Sequence, residues 1–240
     1  MPGGYALSYE WVESVRRKDR VVLAHLQSAF EQMKKPIAVR SSAIGEDSAG
    51  ASFAGQHTSV LNVTGFNQLV EAVEEVLLSG LTPAAMSYRA KLGITGTPQM
   101  GVVLQELHDS EAAGVMFTRN PMNGAEERVI EAAWGLGEIV VAGLVIPDYY
   151  RVSPEGKILE RRIGEKDIAF QLLPQGGTKE VELPPEKAAA TILDDVRLQR
   201  LHELALRCEQ VYGPGLDIEW GLAGDELVLL QCRSITTSQD

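Results

Sequence analysis

The sequence predicts an α+β (α/β) fold, and three observations carry that prediction. Apolar residues recur at helical spacing over 8–33, over 66–92, and from Pro184 to about Val211. Between these stretches lie short apolar runs bounded by turn residues, the pattern of buried strands, at Ile37-Ala38-Val39, 101–107, 113–118 and 129–134. Near the carboxy terminus, Leu216-Asp217-Ile218-Glu219-Trp220 alternates apolar with polar residues. A glycine-containing link joins it to Leu227-Val228-Leu229-Leu230-Gln231-Cys232-Arg233, so the pair reads as a hairpin.

In chain order, Ser8 is placed to cap the first helical stretch, whose stripe is Trp11, Val12, Val15, Val21, Val22, Leu26 and Phe30. Pro36 ends it. The strand at 37–39 runs into Arg40-Ser41-Ser42 and then a run of small residues to Gln56. Such a run lets backbone N–H groups approach a phosphate closely. No G-x-x-x-x-G-K-[ST] occurs, and Gly135-Leu136-Gly137 lacks the third glycine of the dinucleotide pattern. Leu69, Val70, Val73, Val76 and Leu77 form the next helical stripe. The strand at 101–107 ends in polar Gln105 and Glu106. Residues 149–159 read as a hairpin turning at Pro154-Glu155-Gly156, Lys166 as a solvated lysine, and 171–185 as loop. Asn62-Val63-Thr64 matches the glycosylation triplet by pattern only.

With 240 residues, 45% hydrophobic and 23% charged, the chain has room for one large domain or two lobes. A net charge of -11 argues against nucleic-acid binding through a basic surface, but not against nucleotides, which need only a few local cations. Cys208 and Cys232 suggest no disulfide framework and read as reduced thiols of a cytoplasmic protein. No apolar run is long enough for a membrane span, and the amino terminus has no signal-peptide pattern. None of the four histidines has metal-ligand spacing.

The carboxy-terminal hairpin concentrates the chemistry. With Gly224-Asp225-Glu226 as its tip, Ala223 would pair with Leu227, Glu219 would face Gln231 and Asp217 would face Arg233. Cross-strand partners lie about 5 Å apart at Cβ. Two carboxylates, an amide oxygen and a guanidinium then share one face. Magnesium takes hard oxygen ligands, commonly one or two carboxylates plus substrate phosphates, and a guanidinium forks onto a phosphoryl group. The same charges equally suit an exposed face on which Asp217 merely pairs with Arg233.

Several motifs, in this order, carry a resemblance. They are Ala38-Val39-Arg40-Ser41-Ser42-Ala43, Glu46-Asp47, Ala51-Ser52-Phe53-Ala54-Gly55-Gln56, Gly114 to Pro121, Trp134-Gly135-Leu136-Gly137-Glu138, Gly143 with Pro147-Asp148, and the hairpin. Over roughly 36–237 the chain resembles the amino-terminal ATP-binding domain of phosphoenolpyruvate synthase and pyruvate phosphate dikinase, shared by rifampicin phosphotransferases. The resemblance implies a two-lobed ATP-grasp fold with antiparallel sheets and flanking helices, 1–100 forming the first lobe and 101–240 the second. It implies ATP and Mg2+ as cofactors. Glu219 and Gln231 would hold the metal, and Arg40 and Arg233 would act on the phosphates. Ser41 and Asp217 would support them, Gln105 and Glu106 would lie at the adenine edge, and Glu138 at the ribose. The implied reaction phosphorylates a histidine on a swivelling domain, in cis or in trans, and overall converts ATP, pyruvate and water into AMP, phosphoenolpyruvate and phosphate. An antibiotic phosphotransferase part and a non-catalytic nucleotide-binding module are the alternatives. The family's Gly-Gly-Lys segment and its Thr-x-His motif are not found in this sequence. The first lobe is therefore expected to be incomplete, and turnover to need another polypeptide.

Overall fold

The computed structural model describes residues 1–43, 58–91, 93, 94, 96 and 98–235. The small-residue run after Ala43, with His57, lies outside them. Contacts divide the chain into two compact units. One comprises Pro2–Leu107 and Leu172–Thr178; the other comprises Met1, His108–Gln171 and Lys179–Asp240.

The first unit contains β1 (Gly4–Leu7), α1 (Tyr9–Arg16), α2 (Arg20–Gln32), β2 (Ile37–Ala43), β3 (Val60–Val63), α3 (Phe66–Ser79), α4 (Pro83–Lys91) and β4 (Met100–Glu106). Its strands form an antiparallel sheet in the order β1-β4-β2-β3. Neither β1 nor β3 was expected from sequence. The continuous helix expected over 8–33 is two helices. Lys18 adopts a left-handed conformation and Asp19 caps α2, its Oδ1 accepting from Val21 N at 2.9 Å and Val22 N at 3.1 Å. Leu69, Ala72, Val73, Val76 and Leu77 make the i, i+3, i+4, i+7 stripe of α3. That stripe packs with Val12 and Val15 of α1 on Ile37, Val39, Val102 and Leu104. One face of the sheet is thereby sealed.

Asn62 is buried in this unit with φ 58°. Its Nδ2 donates to Leu173 O at 2.7 Å and Gly177 O at 2.6 Å. An amide engaged in this way is no glycan acceptor. Asn62→Ala is expected to cost about 2–4 kcal/mol, because two carbonyls lose a buried donor and alanine tolerates positive φ poorly. Asn62→Gly, which keeps the backbone conformation, should cost less; urea denaturation of both variants separates the two contributions.

The second unit contains β5 (Ala112–Phe117), β6 (Arg128–Trp134), α5 (Glu138–Val141), β7 (Asp148–Val152), β8 (Ile158–Arg162), α6 (Pro185–Ala188), α7 (Asp195–Tyr212), β11 (Leu216–Ala223) and β12 (Glu226–Ser234). Residues 171–185 are not simply loop: β9 (Ile168–Leu172) and β10 (Thr178–Glu182) form a two-stranded sheet there. The main sheet runs β12-β11-β5-β6-β7-β8, antiparallel throughout. Leu198, Leu201, Leu204, Ala205 and Cys208 of α7 cover its face of Met116, Ile130, Tyr150, Ile218 and Trp220. Trp220 is fully buried. At roughly 25 cal/mol per Å2 of apolar surface, a ring of this size contributes several kcal/mol. Gly114 makes room for it: a Cβ there would overlap Glu131 O and come within 2.8 Å of Trp220 Cζ2.

Lys166 is fully buried, not solvated, and pairs with Asp148. His202, on the inner side of α7, is held below its ordinary pKa chiefly by burial and then by Arg128, against the opposing pull of Glu209, Glu203 and Glu155. The unfolded chain protonates at about pH 6.5 while the folded chain resists. Stability should therefore fall as pH drops below about 6.5. His202→Gln is expected to remove that part of the slope of urea midpoint against pH.

Candidate functional site

The second unit's sheet has a polar face opposite α7. Period-2 alternation sends Ile218 and Trp220 to the core and Asp217 and Glu219 the other way. Glu219 pairs with Gln231, and Asp217 with Arg233. The expected partners are met by a different route. The turn is one residue shorter than expected, with Ala223 opposite Glu226 and Leu222 opposite Leu227. A bulge at the Glu219/Trp220 step then leaves Trp220 opposite Leu229, which restores the register beyond it.

Arg233 donates to Asp217 Oδ2 from Nε at 2.9 Å, and its NH2 group lies 2.8 Å from the same oxygen. Asp217 Oδ1 is buried with no hydrogen-bond partner among the described residues. A buried carboxylate oxygen left over in this way is a vacant acceptor for a cation or a metal-bound water. Glu219 and Gln231 add hard oxygens from adjacent strands. Among the described residues, no cluster of three His, Cys, Asp or Glu side chains could hold a metal. A divalent ion on this face must then draw much of its shell from phosphates and water, as magnesium does at nucleotide sites. The donor set fits such an ion.

The row continues across the sheet. Glu219 faces Val115, Val115 faces Glu131, and Glu131 faces Tyr149. Glu131 was not singled out in the sequence. Burial raises its carboxyl above the usual carboxylate range. At about 4.8 Å per strand it lies roughly 10 Å from Glu219 along one face. The available signal was a lone acid inside the apolar run Val129-Ile130-Glu131-Ala132-Ala133. Glu138 opens α5, whose Ile139 and Val140 cluster with Ala133 and Val115 on this same face.

In the first unit, Arg40 pairs with Val103 and Ala38 with Gln105, so Arg40 and Gln105 are diagonal neighbours on the face away from α1 and α3. Ser41 pairs with Val102, on the helix-covered face. Glu106 Oε1 accepts from Lys34 N at 2.9 Å, which gives that side chain a structural duty. Arg40, Ser41, Gln105 and Glu106 thus belong to one unit, and Glu138, Asp217, Glu219, Gln231 and Arg233 to the other.

Comparison with known proteins gives a consistent picture. Residues 7–240 match the family model described as pyruvate phosphate dikinase, AMP/ATP-binding domain. The chain is 44% identical over 204 residues to a probable phosphoenolpyruvate synthase of Archaeoglobus fulgidus, covering 84% of this chain and 27% of that protein. It is 39% identical over 202 residues to a rifampicin phosphotransferase of Streptomyces sviceus, covering 83% and 23%. It is 40% identical over 203 residues to the prodigiosin synthesizing transferase PigC of Serratia marcescens, covering 84% and 23%. The chain spans about a quarter of the length of these relatives.

Proposed function

The chain belongs to the pyruvate phosphate dikinase AMP/ATP-binding domain family, and from that premise we propose that it binds magnesium-ATP and passes phosphoryl groups to a histidine on a partner domain, in cis or in trans, as part of a phosphoenolpyruvate synthase-like phosphotransferase of the cytoplasm. The observation that carries the reading is the hairpin face, where Glu219 stands opposite Gln231 and Asp217 opposite Arg233. Magnesium, when bound, neutralises phosphate charge and steadies the transferring group. Glu219 and Gln231 supply its protein oxygens. Asp217 holds the guanidinium of Arg233 through the Nε hydrogen bond and the ion pair, which keeps that cation on the face proposed for the phosphoryl group. Arg40 adds positive charge for the phosphates, while Ser41 lies on the opposite face of the strand. Gln105 and Glu106 offer strand-end backbone groups for the adenine edge, and Glu138 accepts from the ribose hydroxyls. No helix of the described residues is long and apolar enough to cross a membrane. Identity to rifampicin phosphotransferase favours a second reading, in which the final acceptor is a drug hydroxyl instead of pyruvate.

The test supplies the chain with magnesium-ATP and a phosphohistidine domain taken from a relative. AMP formation and a phosphorylated histidine are the expected results. Binding of ATP without AMP would leave only the nucleotide-binding module.

A further inference from the structure

Cys208 sits on the inner stripe of α7, and Cys232 on β12 between Gln231 and Arg233. Strand alternation turns Cys232 toward α7, opposite Ile218, while its two neighbours face the other side of the sheet. Both thiols pack in one cluster with Leu204, Ala205 and Ile218. They are the two cysteines of that cluster, one on the helix and one on the strand that faces it. Neither is in a disulfide. β12 is the edge of its sheet, hydrogen-bonded to β11 alone, and it bulges at Leu230, two residues before Cys232.

We propose that Cys208 and Cys232 form an oxidisable dithiol, and that a peroxide converts it to an intramolecular disulfide that displaces β12 and weakens the phosphate-facing row. The inference rests on the roles given above to Gln231 and Arg233. In the first step the sulfur of Cys232, the more exposed of the two, attacks one peroxide oxygen. The O–O bond breaks, giving a sulfenic acid and one water. The sulfur of Cys208 then displaces the hydroxyl, which leaves with the displaced proton as a second water, and the S–S bond forms. Two thiols have lost two hydrogens and two electrons, and the peroxide oxygens have taken them.

A disulfide needs an S–S distance of about 2.05 Å and Cα atoms within about 4.4–6.8 Å. Drawing two side chains that are merely packed to that distance pulls strand and helix together. The edge strand yields before a helix anchored by Leu198, Leu201 and Leu204. Gln231 and Arg233, flanking the moving residue, leave register with Glu219 and Asp217.

The full chain is treated with hydrogen peroxide, mapped by peptide mass spectrometry, and titrated with magnesium-ATP before and after dithiothreitol. The expected result is a Cys208–Cys232 cross-linked peptide pair lighter by two hydrogens. Magnesium-ATP affinity should fall at least about tenfold, as when a positioning group is lost, and dithiothreitol should restore it. Cys208→Ala and Cys208→Ser should bind like the untreated chain and ignore peroxide. Sulfinic acids without a cross-link, or a cross-link that leaves affinity unchanged, would overturn the proposal. If the reduced chain binds no magnesium-ATP, the function proposed above fails separately. The displacement is then read from hydrogen exchange of β12, which must rise on oxidation.

Discussion

Replacing Glu219 and Gln231 together by alanine is expected to lower affinity for magnesium-ATP by about a hundredfold or more, while the urea midpoint hardly moves. The size follows from the chemistry of the site: loss of even outer-shell partners costs metal sites 10- to about 100-fold, and these two residues are the proposed inner ones. The stability should survive because both side chains lie on the face opposite the α7 core, where Ile218 and Trp220 hold β11. Affinity for ATP in the presence of chelator should be alike in the two proteins. Calorimetric titration with magnesium and with chelator measures both quantities. Equal magnesium-ATP affinity in wild type and double variant would reject the metal assignment.

The largest expected effect on stability is at Asp148. Its Oδ1 accepts from Gly164 N at 2.9 Å and from Lys166 Nζ, and its Oδ2 accepts from Ile192 N and Tyr150 OH, both at 3.0 Å. Tyr150 OH in turn accepts from Leu193 N at 3.1 Å. One carboxylate therefore ties the start of β7 to the segment before β9 and to the approach to α7. Asp148 and Lys166 are both fully excluded from solvent. Asp148→Ala strands a buried ammonium and three other donors, and is expected to cost about 3–5 kcal/mol. Lys166→Met should cost less, because Asp148 keeps Gly164 N, Ile192 N and Tyr150 OH as donors. Chemical denaturation of the two variants checks the order. A smaller loss for Asp148→Ala than for Lys166→Met would show that this carboxylate is not the hub.

How much of this was legible in the sequence depends on the element. The buried strands and the stripe of α3 announce themselves because their periodicity comes from residues that bury completely. The hairpin was readable in partnership but not in detail: a shorter turn and a bulge cancel, and neither leaves a signal beyond Gly224, whose φ of 55° suits a tight turn. The break at Lys18 was hidden because a left-handed lysine carries no glycine or proline to mark it. β10 and the end of β9 were read as loop because β10 is largely exposed and the two flank the turn glycines Gly176 and Gly177. Lys166 was misread because a buried lysine is visible only through its partner, and Asp148 lies eighteen residues before it. The pairing of Asp217 with Arg233 and of Glu219 with Gln231 was legible from alternation and turn position. Glu131 was missed because its place in the row depends on strand order, which local pattern does not encode.

The most direct measurement of the central claim uses manganese as the probe ion in magnetic resonance titrations of the chain. Free manganese should be captured strongly only when ATP is present, because the described residues alone offer no cluster of three acidic, histidine or cysteine ligands. The bound signal should disappear in the Glu219→Ala, Gln231→Ala double variant. Capture of manganese that is indifferent to ATP, or that persists undiminished in the double variant, would contradict the account.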